Sequence, residues 1–343
     1  LLHVGRLSLE DNLDVLLDME RVRKETSPGK SSASRDGSIW RYLPLLPVRD
    51  PGHENTPLRA VGWTPMFQPR KLAEKLSLNN LWLKDDGRNP TASFKDRASA
   101  ITVVRSEEIG AEVVITASTG NAGAALAGMA AAAQRPAVIL APKTAPQGKV
   151  AQLLMFGAKV ILVDGTYDDA FDLTLEAAEA LGWYCRNTGY NPFTAEGKKT
   201  VAFEICEQFS MLTGQQTDDQ WAAPDVIFVS VGDGNIISGL HKGLKDLLEL
   251  GWISKMPRIM GVQSEGSAAI YNAFAAGTED IKPVSATTMA DSISVDMPRD
   301  GLRALRAATQ TGGAYIQVTD EAILDAMRAL GRDAAVFAEP AGA

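Results

Sequence analysis

The 343-residue sequence predicts an α/β fold made of two open parallel-sheet α/β domains with helices on both faces. Three observations predict it. From Val113 to Asp164 short apolar runs alternate with helical stretches, and the same rhythm returns from Asp225 to Gln263. Glycine-rich turns stand where strands give way to helices. The length also exceeds the roughly 250 to 300 residues at which single cores stop growing, which argues for two domains.

Taken in order, the segment before Asp50 stands apart. Leu9 to Arg23 carries an amphipathic helical pattern, and the run Ser27 to Ser38, with Gly29, Gly37 and several serines, reads as a loop. The first apolar strand is Val113 to Thr116, followed by a polar glycine turn, an Ala-rich helix from Ala122 to Ala133 and the strand Ala137 to Leu140. A helix from Gln147 to Phe156, a strand from Lys159 to Val163 and a helix from Tyr167 to Leu181 continue the alternation. It resumes with the strand Asp225 to Val231, a helix after Gly234 and the strand Arg258 to Gln263. There is no internal repeat.

Composition narrows the function. A net charge of −8 opposes binding to phosphate backbones and anionic lipid, so nucleic acid and membrane are not expected partners. The most apolar helical run, Ala122 to Ala133, is shorter than the roughly 20 residues that span a bilayer. Cys185 and Cys206 allow one bridge or two buried thiols, and so few cysteines suit a reducing cytoplasm. His3, His53 and His241 show no zinc-binding spacing, and no metal is expected.

Three stretches carry chemistry. In Asn89-Pro90-Thr91-Ala92-Ser93-Phe94-Lys95-Asp96-Arg97, Phe94 can shield the Lys95 amine and Arg97 can raise the local positive potential. Both favour the neutral amine that attacks an aldehyde, although such a string alone also suits a solvated lysine opening a helix. In Thr116-Ala117-Ser118-Thr119-Gly120-Asn121-Ala122-Gly123, hydroxyls and backbone amides at a helix N-terminus make a carboxylate site, or merely a capped turn. In Ser230-Val231-Gly232-Asp233-Gly234-Asn235-Ile236-Ile237-Ser238-Gly239, glycines let amides approach a phosphate where the helix dipole favours it.

Rival phosphate motifs fail. The third glycine of a dinucleotide fingerprint would fall at Ile237, and Gly197-Lys198-Lys199-Thr200 lacks the upstream glycine of a P-loop, where Pro192 stands.

In family order, the three stretches resemble the second large structural class of pyridoxal-phosphate enzymes, fold type II, with its tryptophan synthase β-subunit-like architecture. That resemblance implies that Lys95 carries pyridoxal 5'-phosphate and serves as catalytic proton shuttle. It implies that Asn121 touches the ring, that Gly232, Asp233, Gly234, Asn235 and Ile236 hold the phosphate, and that Ser118, Thr119 and Gly120 take the substrate carboxylate. The implied domains are a 1–62 extension packing on the large domain, a large cofactor-binding domain of 63–96 plus 187–343, and a small mobile domain of 97–186.

Gly37-Ser38-Ile39-Trp40-Arg41-Tyr42, Leu45-Leu46-Pro47-Val48, Gly62-Trp63-Thr64-Pro65-Met66, Asn187 to Thr200 and Asp291 to Arg299 resemble signatures of the threonine synthase family within that class. This implies a lyase converting O-phosphohomoserine and water to L-threonine and phosphate, working as a cytoplasmic homodimer, with Asn187, Thr188 and Thr194 at the substrate. Three departures bear on the detail. Ala92 replaces a usual glycine, a small change unless φ is positive there; Ala122 replaces a threonine; Thr194 stands where many members place a phosphate-gripping arginine, with Arg186, Lys198 and Lys199 nearby in sequence. The last departure keeps open other activities of the class: threonine or serine dehydratase, diaminopropionate ammonia-lyase and cysteate synthase. A non-catalytic pyridoxal-phosphate or amino-acid sensor is a further alternative, opposed by retention of the lysine. A hydroxyl facing the pyridine nitrogen is implied beyond the Glu339-Pro340-Ala341-Gly342-Ala343 motif.

Overall fold

A computed structural model describes residues 3–5 and 13–343. They form two compact units. The first holds the described residues up to Thr26, Ala33–Trp63 and Asp86–Thr200; the second holds Ser27–Ser32, Thr64–Asp85 and Val201–Ala343.

The N-terminal pattern resolves differently from its periodicity. Strand β1 (His3–Gly5) pairs antiparallel with β2 (Asp14–Leu16), and helix α1 begins only at Met19 and runs to Glu25. Asp18 explains the late start, because its carboxylate accepts the Arg21 amide at 3.0 Å and so caps a helix at that point. Residues 9–12 of the expected helix lie outside the described residues. The polar run after Ser27 is not all loop, since it contains the short helix α2 (Pro28–Ser32), whose Gly29 amide donates to the Asp218 carbonyl at 2.9 Å.

The first unit buries Ile39, Trp40, Tyr42 and Leu45 from the 3-10 segment Ile39–Leu45. Ser38 caps that segment, the Trp40 indole donates to the Leu58 carbonyl at 3.0 Å, and the Arg41 guanidinium lies 3.8 Å from the Trp63 ring centroid. In the second unit, β3 (Met66–Phe67) and β4 (Leu83–Lys84) pair antiparallel around α3 (Arg70–Lys75). Lys84 there donates to the Thr64 carbonyl, Glu204 and Gln208 at 2.6 to 2.8 Å, which uses all three ammonium protons.

The main body of the first unit runs through α4 (Lys95–Glu108), β5 (Val114–Ala117), α5 (Asn121–Ala132), β6 (Ala137–Pro142), α6 (Gln147–Met155), β7 (Lys159–Val163), α7 (Tyr167–Leu181), β8 (Tyr184–Cys185) and α8 (Phe193–Lys198). Its sheet is parallel with order β7-β6-β5-β8. Alternation along each strand feeds two cores. Val114 and Ile139 pack with Leu126, Met129 and Leu153, while Ile115, Val138 and Leu140 pack with Ala170, Phe171 and Ala178 of α7. Coverage of both faces is why β5 and β6 read as unbroken apolar runs. Helix α7 is delimited by its ends: Thr166 and Asp169 form a reciprocal capping box, and Gly182 closes it at φ 67°.

Helices α4 and α8 lie so close that a Cβ on Gly197 would stand 2.0 Å from the Arg97 carbonyl oxygen. Arg97 itself is fully buried, forked onto Asp86 at 2.6 and 2.8 Å and donating to Thr200 at 3.0 Å. These ties place residues 86–96 and 187–200 in the first unit. The sequence expectation had assigned both stretches to a cofactor domain with 201–343.

After α9 (Thr200–Thr213), the second unit builds a parallel sheet from β9 (Val226–Ser230), β10 (Arg258–Ser264) and β11 (Ala314–Val318), with β10 central. Helices α10 (Asn235–Leu250), α11 (Ala269–Ala276), α12 (Gly301–Thr309) and α13 (Asp320–Ala329) complete it. Tyr315 lies over Gly261, where a Cβ would meet its ring at 2.4 Å, and its hydroxyl donates to the Ala304 carbonyl at 2.7 Å. Cys185 and Cys206 are two free buried thiols. No helix among the described residues is long and apolar enough to cross a membrane.

Candidate active site

In the first unit Lys95 opens α4 at a half-buried position. The turn before it is closed on itself. Asp96 accepts the Thr91 amide at 2.7 Å and the Thr91 hydroxyl, the Ala92 amide donates to the Asn89 carbonyl at 2.8 Å, and the Lys95 amide donates to Ser93 Oγ at 3.1 Å. Asp96 is wholly buried, and burial, the largest influence, pushes its carboxyl up to about 6. Arg97, expected to lend positive potential to the amine, is instead neutralised by Asp86, because a fully buried guanidinium needs a paired carboxylate. Its guanidinium also lies 5.5 Å from the Phe94 ring centroid.

The second loop follows β5. Ser118, Thr119, Gly120 and Asn121 are half-exposed, and α5 starts at Asn121 with no side chain capping its first turn. Amides of such a turn are available to an anion. Gly123 is required, since a Cβ would stand 2.3 Å from the Ser118 carbonyl oxygen.

Beside this strand end lies Asn187, 2% exposed. Its Oδ1 accepts from Thr116 Oγ1 and the Ala117 amide, both at 2.9 Å, while its Nδ2 is buried with no partner among the described residues. Thr188 is half-buried and accepts from the buried Arg186 at 3.1 Å. Thr194 is placed differently from a residue facing ligand. It is 0% exposed inside α8, and its hydroxyl donates to the Asn191 carbonyl at 2.7 Å. Lys199 is equally buried and pairs with Glu196 at 2.6 Å.

In the second unit the loop between β9 and α10 carries the glycine stretch. Gly234 adopts φ 92° as the N-cap residue of α10 and brings no capping side chain of its own. A Cβ on Gly232 would stand 2.7 Å from Ile293 Cα, and one on Gly234 would stand 2.7 Å from the Asp300 carbonyl oxygen. The side chains of Asp233 and Asn235 are committed within the unit, to the Arg299 amide at 3.0 Å and to Asp300 at 2.7 Å. The loop therefore offers backbone amides rather than side chains. Asp300 was not legible as a site residue, because its partner lies 65 positions upstream.

The family model for pyridoxal-phosphate dependent enzymes matches residues 58–343. The chain belongs to that family. Among relatives of this pyridoxal-phosphate dependent enzyme, a protein named threonine synthase from Methanocaldococcus jannaschii is 37% identical over 333 residues, covering 96% of this chain and 79% of the relative. A threonine synthase from Methanosarcina acetivorans is 36% identical over 334 residues, covering 96% and 78%. The solved processed form of threonine deaminase isoform 2 from Solanum lycopersicum superposes with a TM-score of 0.69 at 22% identity, covering 99% of this chain and 86% of that one, which shows the shared fold.

Each unit, taken by itself, holds residues whose chemistry fits pyridoxal phosphate. In the first unit Lys95 offers a half-buried amine, and the buried Asn187 Nδ2 offers a donor with no partner among the described residues. The second unit, by itself, offers the backbone amides at the start of α10, in a loop whose Gly232 and Gly234 pack closely against Ile293 and Asp300.

Proposed function

We propose that this pyridoxal-phosphate lyase is a threonine synthase, taking O-phosphohomoserine and water to L-threonine and inorganic phosphate. The observation that carries this reading is the likeness, over 96% of the chain, to relatives of that name. The cofactor, when bound, supplies an electron sink for the electron pair left as a C–H bond of the substrate breaks. Lys95 would anchor it and then accept and return protons at the substrate's Cα and Cβ. Asn121 would hold the ring's oxygen, while the amides of Gly232, Asp233, Gly234, Asn235 and Ile236 receive the cofactor phosphate.

Ser118, Thr119 and Gly120 would orient the substrate carboxylate. Asn187 would direct at the ligand its Nδ2, which has no partner among the described residues, with Thr188 beside it. Thr194 supports α8 through Asn191 and has no part in contacting substrate in this reading. We assign the enzyme to the cytoplasm as a homodimer, a placement that suits two thiols kept free and buried. Light scattering on the full chain tests the dimer.

The deciding experiment gives O-phosphohomoserine to the pyridoxal-phosphate-loaded protein and follows threonine and phosphate together. Equal release supports the assignment. Turnover of serine, threonine or O-phosphoserine with none of O-phosphohomoserine would instead support a dehydratase or β-replacement activity. Lys95→Ala should abolish both the visible absorbance of bound cofactor and turnover; persistence of turnover would remove Lys95 from its role.

A further inference from the structure

Gly128 lies in the interior of α5 and is buried, a position where glycine costs about 1 kcal/mol relative to alanine. Its neighbour explains the glycine. A Cβ built there would stand 2.5 Å from Cγ2 of Thr91, with the Phe156 ring next nearest at 3.7 Å. Cγ2 belongs to a side chain that cannot turn aside freely, because the Thr91 hydroxyl is held by Asp96 and the Thr91 amide by the other oxygen of the same carboxylate. Holding the hydroxyl fixes χ1 of this β-branched side chain and with it the direction of the methyl. Four residues after Thr91 comes Lys95, and seven residues before Gly128 comes Asn121.

We propose that Thr91 and Gly128 form a latch that positions Lys95: the Thr91 methyl seats in the Gly128 notch, Asp96 locks it there, and the lysine turn is held in register with the helix that begins at Asn121. Thr91 and Gly128 are positioning residues, acting through the turn rather than on a ligand. The reading rests on Lys95 as the cofactor lysine. A displaced methyl cannot be absorbed locally, so extra volume at Gly128 moves the 91–95 turn and the amine with it. Misplacement of a reacting group by about 1 Å can cost on the order of a hundredfold in rate.

The test compares wild type, Gly128→Ala, Thr91→Ser and the double variant, each loaded with pyridoxal phosphate. Serine keeps the hydroxyl for Asp96 and deletes the methyl, so it should make room for the alanine. Three readouts are taken: dissociation constant for the cofactor, extent of borohydride-trapped cofactor on the Lys95 peptide, and thermal midpoint of the cofactor-free protein. Gly128→Ala should weaken cofactor affinity roughly tenfold or more and lower trapping at Lys95, and the double variant should recover both. The double variant should also melt no lower than wild type, since alanine favours the helix.

Unfolding of Gly128→Ala that is rescued by Thr91→Ser supports the latch equally. Wild-type affinity and trapping in Gly128→Ala overturn it, as does a defect that Thr91→Ser leaves unrepaired. Failure of wild type to trap cofactor on Lys95 would overturn the cofactor assignment itself, and is read separately in the wild-type sample.

Discussion

Ala92 holds φ at 57°, in the left-handed region that an L-residue with a Cβ enters at a cost of about 1 to 2 kcal/mol. The sequence raised this position as a glycine replaced, and the positive φ makes the replacement a strained one, immediately before Ser93, whose Oγ tethers the Lys95 amide. Ala92→Gly should raise stability by up to about 1 kcal/mol, the relief being partly offset by the greater freedom of unfolded glycine; urea midpoints measure it. Asp96, next to Lys95, makes a second residue-level prediction. Its folded pKa, about 6, lies above the ordinary aspartate value of 3.8, so the native state binds the proton more readily than the unfolded chain. Stability from this group is present below pH 4 and is lost as pH rises to about 6, on the order of 3 kcal/mol. Subtracting the pH profile of Asp96→Asn from that of wild type should reveal this fall. A difference that rises with pH in that window would contradict it. Lys95, Asn121 and the glycine loop stand out in the sequence as candidates because each lies in a short string of characteristic residue types. Thr91, Gly128 and Asp96 acquire their roles only when a turn meets a helix face, which periodicity does not encode.

At the scale of elements, the reading succeeded where both ends of an element announce themselves. Helix α7 follows from Thr166 and Gly182, and β7 from an apolar run between Gly157 and Asp164. It missed β2, because a three-residue strand stabilised by pairing with β1 looks like part of an amphipathic helix. It also passed over β11, whose Ala314-Tyr315-Ile316-Gln317-Val318 becomes a strand by lying parallel to β10. The junction of α4 and α8 allows a sharp prediction. Gly197→Ala drives a Cβ into the Arg97 carbonyl, and no side-chain rotation relieves a clash with backbone. About 3 kcal/mol of stability should be lost, measured by urea unfolding. A loss under 0.5 kcal/mol would mean that the helices can separate without penalty. The same junction explains why the expected domain limits differ from the observed units. Sequence assigned residues 187–200 by family likeness, whereas packing assigns them by the contacts of the buried Arg97 with Asp86 and Thr200.

For the molecule as a whole, the alternation of strands and helices was enough to give the α/β class and two parallel sheets, since the driving term is burial of apolar runs on both faces. The placement of the boundary between the units was not legible, because it is set by a few close contacts distant in sequence. The two cysteines follow that boundary, with Cys185 in the first unit and Cys206 in the second. Burial pushes the first thiol up to about 11 and the second up to about 12, so neither ionises to a reactive thiolate in the native protein. Each is a clock sealed inside one half of the chain. A thiol reagent applied without denaturant, with peptide mapping of the two sites, should label each cysteine only as fast as its own unit opens. Two distinct rates would time two separate openings, and one shared rate would mean that both units open in a single step.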